Sequence, residues 1–201
     1  MVTIAEVADH VGEYIGEKAG LQSEVNKICY GIECLSIMAI SIGFILAVGW
    51  LGGALRETLW ITFAALWMKH IIGGPHLSGF VRCTVFSALI LAGSGWALKT
   101  LGLPSPWWLL ALATAGCCAV LLYGPLLAPD FDFSKQQIKS RKRFGVITLA
   151  SLSLLNIWFV STWLSALNIG VLLTVLLRTP AGVWIVHELE QITKGKEAQS
   201  V

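Results

Sequence analysis

The chain has 201 residues, 56% of them hydrophobic and only 13% charged, with nine tryptophans and a formal net charge of +2. Soluble domains carry about 25% charged residues, and a soluble core of this length could not hide so much apolar surface. The mean hydropathy of +0.74 therefore excludes a soluble globular domain and points to a membrane as the solvent. The small, scattered charge also excludes a nucleic-acid groove, and the five cysteines at 29, 34, 83, 117 and 118 match neither a disulfide framework nor a zinc motif.

The chain opens without the charged stretch, short apolar run and small-residue cut site of a removable signal peptide, so none is expected. Residues 3–28 read as one amphipathic helix. Ile4, Val7, Val11, Ile15, Leu21, Val25 and Ile28 fall near one face, opposite Glu6, Asp9, Glu13, Glu17 and Glu24. Helices that bind anionic lipid are usually basic, so this acidic one is expected to pack on protein or to touch lipid only in part. Gly12, Gly16 and Gly20 recur every fourth residue, a spacing that lets helices approach closely.

Six spans are then expected in an all-α, polytopic membrane helix bundle, with 1–201 as a single membrane domain. Residues 35–55 are uncharged and long enough to cross the roughly 30 Å hydrocarbon layer as a helix. A second span, 58–72, ends at Lys69 and His70, and a polar break from Gly73 to Arg82 follows. The third span is 83–101, and Pro104 and Pro106 close it off. The fourth is 107–127, opened by Trp107 and Trp108 as interface aromatics. Residues 128–143 form a basic loop with Lys135, Lys139, Arg141, Lys142 and Arg143. The uncharged run 144–177 would be about 51 Å long as one helix. It divides into spans at 144–165 and 170–187, with the break at Asn168–Gly170. Arg178, Thr179 and Pro180 interrupt the last span. Placing the basic loop in the cytoplasm puts both termini and the 73–82 break there as well.

That break carries the chemistry. Its sequence from Lys69 to Cys83 concentrates Gly, Pro, Ser, His and Cys at a membrane edge, where irregular backbone must be shielded by protein or water. His76 and Cys83 are a base and a nucleophile, but a continuous helix would hold them about 10 Å apart. A thiol–imidazole hydrogen bond needs about 3–3.5 Å. Gly73, Gly74 and Pro75 before the pair, and Ser78 and Gly79 within it, provide for a bend that folds one onto the other. In a first helical turn, the helix dipole and Arg82 would then favour the Cys83 thiolate. Glu33 and Glu57, acids near the first span, are candidates to orient His76 or meet Lys69. Two ligands are too few for a zinc site, and no metal or cofactor is expected. The competing non-enzymatic reading is a small multi-span transporter or peptide exporter, with the break as its gate.

At these residues the chain resembles the accessory gene regulator protein B (AgrB) family, the membrane cysteine peptidases of peptide quorum sensing. That family's pattern is a basic residue, then Gly-Gly-x-His, then a cysteine seven positions after the histidine. Lys69 stands where the family usually has arginine, Gly73-Gly74-Pro75-His76 supplies the turn and base, and Cys83 the nucleophile. Tyr30-Gly31-Ile32-Glu33 resembles a family segment before the first span, and Tyr123-Gly124-Pro125 with the basic loop resembles another. The resemblance implies a bacterial cell-membrane endopeptidase that takes a short amphipathic AgrD-like precursor. It would cleave off the C-terminal tail through a thioester on Cys83, and an internal Cys or Ser of the substrate would then close a thiolactone or lactone ring. It also implies Cys83 and His76 as catalytic residues, supported by Lys69, Gly73, Gly74, Ser78 and Glu33. The expected partners are that peptide, the lipid bilayer and a second copy in a homodimer, with no nucleic acid.

Overall fold

The computed structural model describes residues 4–73, 79–124 and 134–198, which form eight α-helices and one short 3-10 turn. The helices are α1 (Ile4–Ala19), α2 (Val25–Leu51), α3 (Leu55–Ile72), α4 (Phe80–Leu101), α5 (Pro106–Tyr123), α6 (Lys135–Trp158), α7 (Thr162–Leu176) and α8 (Pro180–Ala198). The chain is therefore an all-α membrane protein. α2, α4 and α5 are long and apolar enough to cross a bilayer, and the α7–α8 pair, bent by 75°, makes a fourth candidate. The six expected spans are thus not all recovered by length and composition. α3 carries Arg56, Glu57 and Lys69, and α6 starts with a basic stretch. The chain divides into two compact units, 1–44 and 45–201.

In the first unit the expected 3–28 helix is interrupted. α1 ends at Ala19, where the Leu21 N–H reaches back to Gly16 O at 2.9 Å, a six-to-one closure typical of a helix end. A 3-10 turn at Gln22–Glu24 then leads into α2. The packed face of α1 is the glycine face: Ala8, Gly12 and Gly16 are buried, while Val7, Val11 and Ile15 are exposed. A Cβ on Gly12 would lie 2.4 Å from Cys29 Sγ, and one on Gly16 2.5 Å from Val25 Cγ2. The small residues, rather than the large apolar ones, thus set the contact with α2.

The second unit is built on α7, which packs against α3, α4, α5 and α6. Its main core joins Met68 and Ile72 of α3, Ala113 and Val120 of α5, Leu149 of α6, and Val171 and Val175 of α7. Small and polar side chains are prominent inside, including Ala64, Ala88, Ala92, Thr58, Ser153 and Ser165. Large apolar ones such as Trp67, Leu89, Trp107, Leu122 and Trp158 face out. This distribution is the one a lipid solvent favours, since close backbone approach replaces the hydrophobic effect as the force holding helices together. Thr58 of α3 sits in a notch between Gly49 of α2 and Gly95 of α4, where added Cβ atoms would fall 2.6 Å and 2.4 Å from its Oγ1.

Two further expectations are corrected. The uncharged run after Phe144 breaks at Phe159–Ser161 rather than at Asn168–Gly170. Asn168 and Gly170 lie inside α7 because α6 and α7 pair through a polar ladder. Ser153 Oγ donates to Asn168 Oδ1 at 2.9 Å, and Asn168 Nδ2 donates to Leu152 O and Leu164 O. Asn156 and Ser165 meet at 3.4 Å. A break three residues long after Trp158 brings these groups face to face, and one at Asn168 would strand them in hydrocarbon. Asn168→Leu removes three of these bonds, so it should cost about 1–2 kcal/mol, read as a lowered melting temperature in detergent. An unchanged melt would show the ladder to be idle.

The basic segment is likewise not all loop. α6 begins at Lys135, capped by Ser134: its hydroxyl accepts from the Gln137 N–H, and the Gln137 side chain accepts from the Ser134 N–H. This reciprocal box satisfies two of the donors that every helix start leaves open. Residues 135–143 are therefore helical and directional.

Candidate active site

The site residues lie where α3 ends and α4 begins. α3 closes with the Gly73 N–H bonded to Lys69 O at 2.8 Å. Gly73 then turns to φ 75°, ψ −163°, and Gly79 enters α4 at φ 92°, ψ 131°. Both conformations penalise any residue with a Cβ, which gives a backbone reason for glycine at the two ends of the connection. α4 starts at Phe80 directly after Gly79, so no continuous helix runs from 76 to 83.

Cys83 is the fourth residue of α4, and its N–H closes the helix's first bond, to Gly79 O at 3.2 Å. Its thiol is thus held in the first turn, within reach of the positive end of the helix dipole. Lys69, half-buried one turn before Gly73, lies within electrostatic reach of Cys83. Of the residues named from sequence, Lys69, Gly73 and Cys83 are thus assembled around one helix junction. His76, Gly74 and Ser78 lie outside the described residues. Glu33 is half-buried on α2 within the 1–44 unit.

The structure gives contacts to cations that the sequence places only in the basic loop. Arg141 Nη1 donates to His70 O at 3.3 Å and Ile71 O at 3.2 Å, and Lys142 Nζ donates to Leu121 O at 3.1 Å. These carbonyls belong to the last turns of α3 and α5 and have no partner within their own helices. Cations there also meet the negative end of each dipole. One stretch of α6 therefore ties down the ends of two helices and gathers Lys69, Arg141 and Lys142 at one end of the second unit. Beside them His70, Ile71, Ser140, Arg141 and Phe144 line a groove of about 170 Å³. Arg178, at the α7–α8 bend, is buried although charged. The signal for it was available, as a cation inside an apolar run is a functional candidate by default.

An all-helical chain with helices long and apolar enough to cross a bilayer, and with a cysteine in the first turn of one of them, already describes a class: integral membrane proteins of the all-α kind. The particular family follows from comparison. The model of accessory gene regulator B (AgrB) matches residues 8–179, and the chain belongs to that family. It is 26% identical over 174 residues to a protein of Halalkalibacterium halodurans whose name likens it to AgrB, in an alignment covering 86% of this chain and 85% of that one. No solved structure matches the chain. The matched stretch takes in Lys69, Gly73, Cys83, Arg141 and Arg178.

Proposed function

We propose that this chain is a cysteine endopeptidase of the bacterial cell membrane that cuts the C-terminal tail from a short amphipathic precursor peptide of the AgrD kind. Cys83 is the nucleophile and His76 its base. The thiol gives its proton to His76, and Cys83 Sγ attacks the scissile carbonyl carbon. The carbon–nitrogen bond breaks, the leaving amine takes the proton from His76, and the N-terminal part of the peptide stays on Cys83 as a thioester. An internal Cys or Ser of the peptide then attacks that carbonyl, frees Cys83 and closes the thiolactone or lactone ring. The thioester conserves the free energy that ring closure needs, provided water is kept away and the internal nucleophile is held close.

The observation that carries this reading is the placement of Cys83 in the first turn of α4 with Lys69 within electrostatic reach. The cationic end formed by Lys69, Arg141 and Lys142 supports a cytoplasmic site, with both termini on the same side. The groove of His70, Ser140, Arg141 and Phe144 supplies a place for peptide next to the thiol's helix junction.

The test is to trap the intermediate. Purified protein is mixed with a candidate precursor from the same genome, quenched in acid, and weighed intact. The wild type should gain the mass of the N-terminal fragment less one water. Neutral hydroxylamine should remove the adduct, and Cys83→Ala should never form it. Tail release by the wild type without an adduct, and at the same rate in Cys83→Ala, would sink the reading.

A further inference from the structure

The crevice between the ends of α5 and α7 holds a group that the cleavage chemistry leaves unused. Arg178 follows α7 at the bend into α8 and is 6% exposed. Its Nε, Nη1 and Nη2 are all buried without a hydrogen-bond partner among the described residues. The hydroxyl beside it is already committed, because Thr179 Oγ1 donates to Leu176 O at 2.7 Å and accepts from the Gly182 N–H at 3.2 Å. The remaining walls are Ala119, Val120, Tyr123, Gly124 and Val175. None is a carboxylate, and the crevice has no room for a water molecule.

A guanidinium cannot shed its proton in a protein and presents five donors. Burying it unpaired opposes folding unless something else compensates. Positions of this kind are retained when a ligand supplies the missing charge, and a planar fork of donors fits an oxyanion with two parallel bonds. The location agrees. Gly124 at the mouth packs against Lys142, whose Cε would lie 2.8 Å from a Cβ placed there. Lys142 and its neighbour Arg141 lead back to the end of α3 and the helix junction that carries Cys83.

We propose that Arg178 is the receptor for a carboxylate of the precursor peptide, carried on an acidic side chain or at the chain end. The ligand's identity rests on the peptidase reading, but the anion site rests on Arg178 itself. Width decides between oxyanions. The crevice must part slightly to admit anything, and a carboxylate on an unbranched carrier is the slimmest anion available. A phospholipid phosphate is flanked by two ester arms and would have to force α5 and α7 much further apart. The tail would thus be gripped at Arg178 while its scissile bond lies toward Cys83.

The experiment measures binding with cleavage disabled. Cys83→Ala protein in phosphatidylcholine nanodiscs is titrated with two fluorescent peptides, one alternating leucine with glutamate and one alternating leucine with glutamine. The glutamate peptide should bind roughly tenfold more tightly, the worth of one charge-assisted pair. Arg178→Met should abolish that preference, and Arg178→Lys should keep part of it. Arg178→Met should also melt no lower than its parent without peptide, since it removes a charge that has no partner to lose; a purely structural arginine would show a lower melt. Equal binding of the two peptides, or a preference that survives Arg178→Met, overturns the proposal. So does phosphatidylglycerol that native mass spectrometry finds retained by the parent and lost from Arg178→Met, which would assign the site to lipid. Because nothing is cut in this assay, its failure leaves the Cys83 chemistry standing, and a failure of that chemistry leaves this binding result standing.

Discussion

Cys83→Ala and His76→Ala should each reduce tail removal by roughly 10³-fold or more, the usual result when either member of a nucleophile–base pair is lost. The two effects should not add in the double variant, because a thiol without its base and a base without its thiol disable the same step. The rate of tail removal from a co-expressed precursor, followed by mass spectrometry, checks the first point, and the double variant checks the second. The rate at which iodoacetamide alkylates Cys83 provides an activity-free control. His76→Ala should slow alkylation without changing the melting temperature. Full cleavage by His76→Ala would mean that another group takes the proton, and the pair would be wrong. The expectation draws on α4 beginning at Phe80 after Gly79 at φ 92°. That geometry frees the chain before Cys83 from helical spacing, which by itself would keep a histidine seven residues earlier out of reach.

Gly170→Val should be the most damaging substitution away from the site. A Cβ at this position would lie 2.3 Å from Ile61 O and 2.9 Å from Ala64 Cβ. The obstacle is the backbone of α3, which cannot rotate aside as a side chain would. α3 and α7 would have to separate along the most extensive contact of the second unit. The cost should reach about 3 kcal/mol or more, read as a large fall in melting temperature or a failure to purify as a single species. Gly170→Ala should show the same sign with a smaller amplitude. Gly93→Ala is the control, since nothing lies within 4 Å of its Cβ position and alanine is the better helix former. Lys69 rides on α3 above this contact, so cleavage should fall with stability in the Gly170 series and remain unchanged in Gly93→Ala. Equal stability of Gly170→Val and wild type would mean that α3 and α7 do not pack this way.

Much of this protein was legible in its residues. Composition alone dictated a membrane, because 56% hydrophobic side chains on a chain this short have no aqueous solution. The apolar runs located most helices, and Gly73 marked where α3 ends, since backbone with positive φ leaves glycine as the inexpensive choice, whereas α4 begins at Phe80, three residues before the span expected from 83. The Lys69-to-Cys83 pattern named the family that the comparison then assigned. All of these are local properties: hydropathy per residue, conformational preference, and spacing within one segment.

What the sequence could not decide was which residues meet across segments. Asn168 and Gly170 look like a helix breaker between two spans, and only the facing α6 and α3 reveal them as a polar ladder and a close contact inside α7. Val7, Val11 and Ile15 look like the packing face of α1, yet Gly12 and Gly16 hold that place, because Cys29 and Val25 of α2 approach too closely for a side chain there. Arg141 and Lys142 lie in a basic stretch and Arg178 inside an apolar run, but the sequence does not say what any of them meets. Tertiary structure separates them into two that cap neighbouring helices and one left buried with no hydrogen-bond partner among the described residues. A cation's role depends on which acceptors reach it, and those acceptors come from elsewhere in the chain.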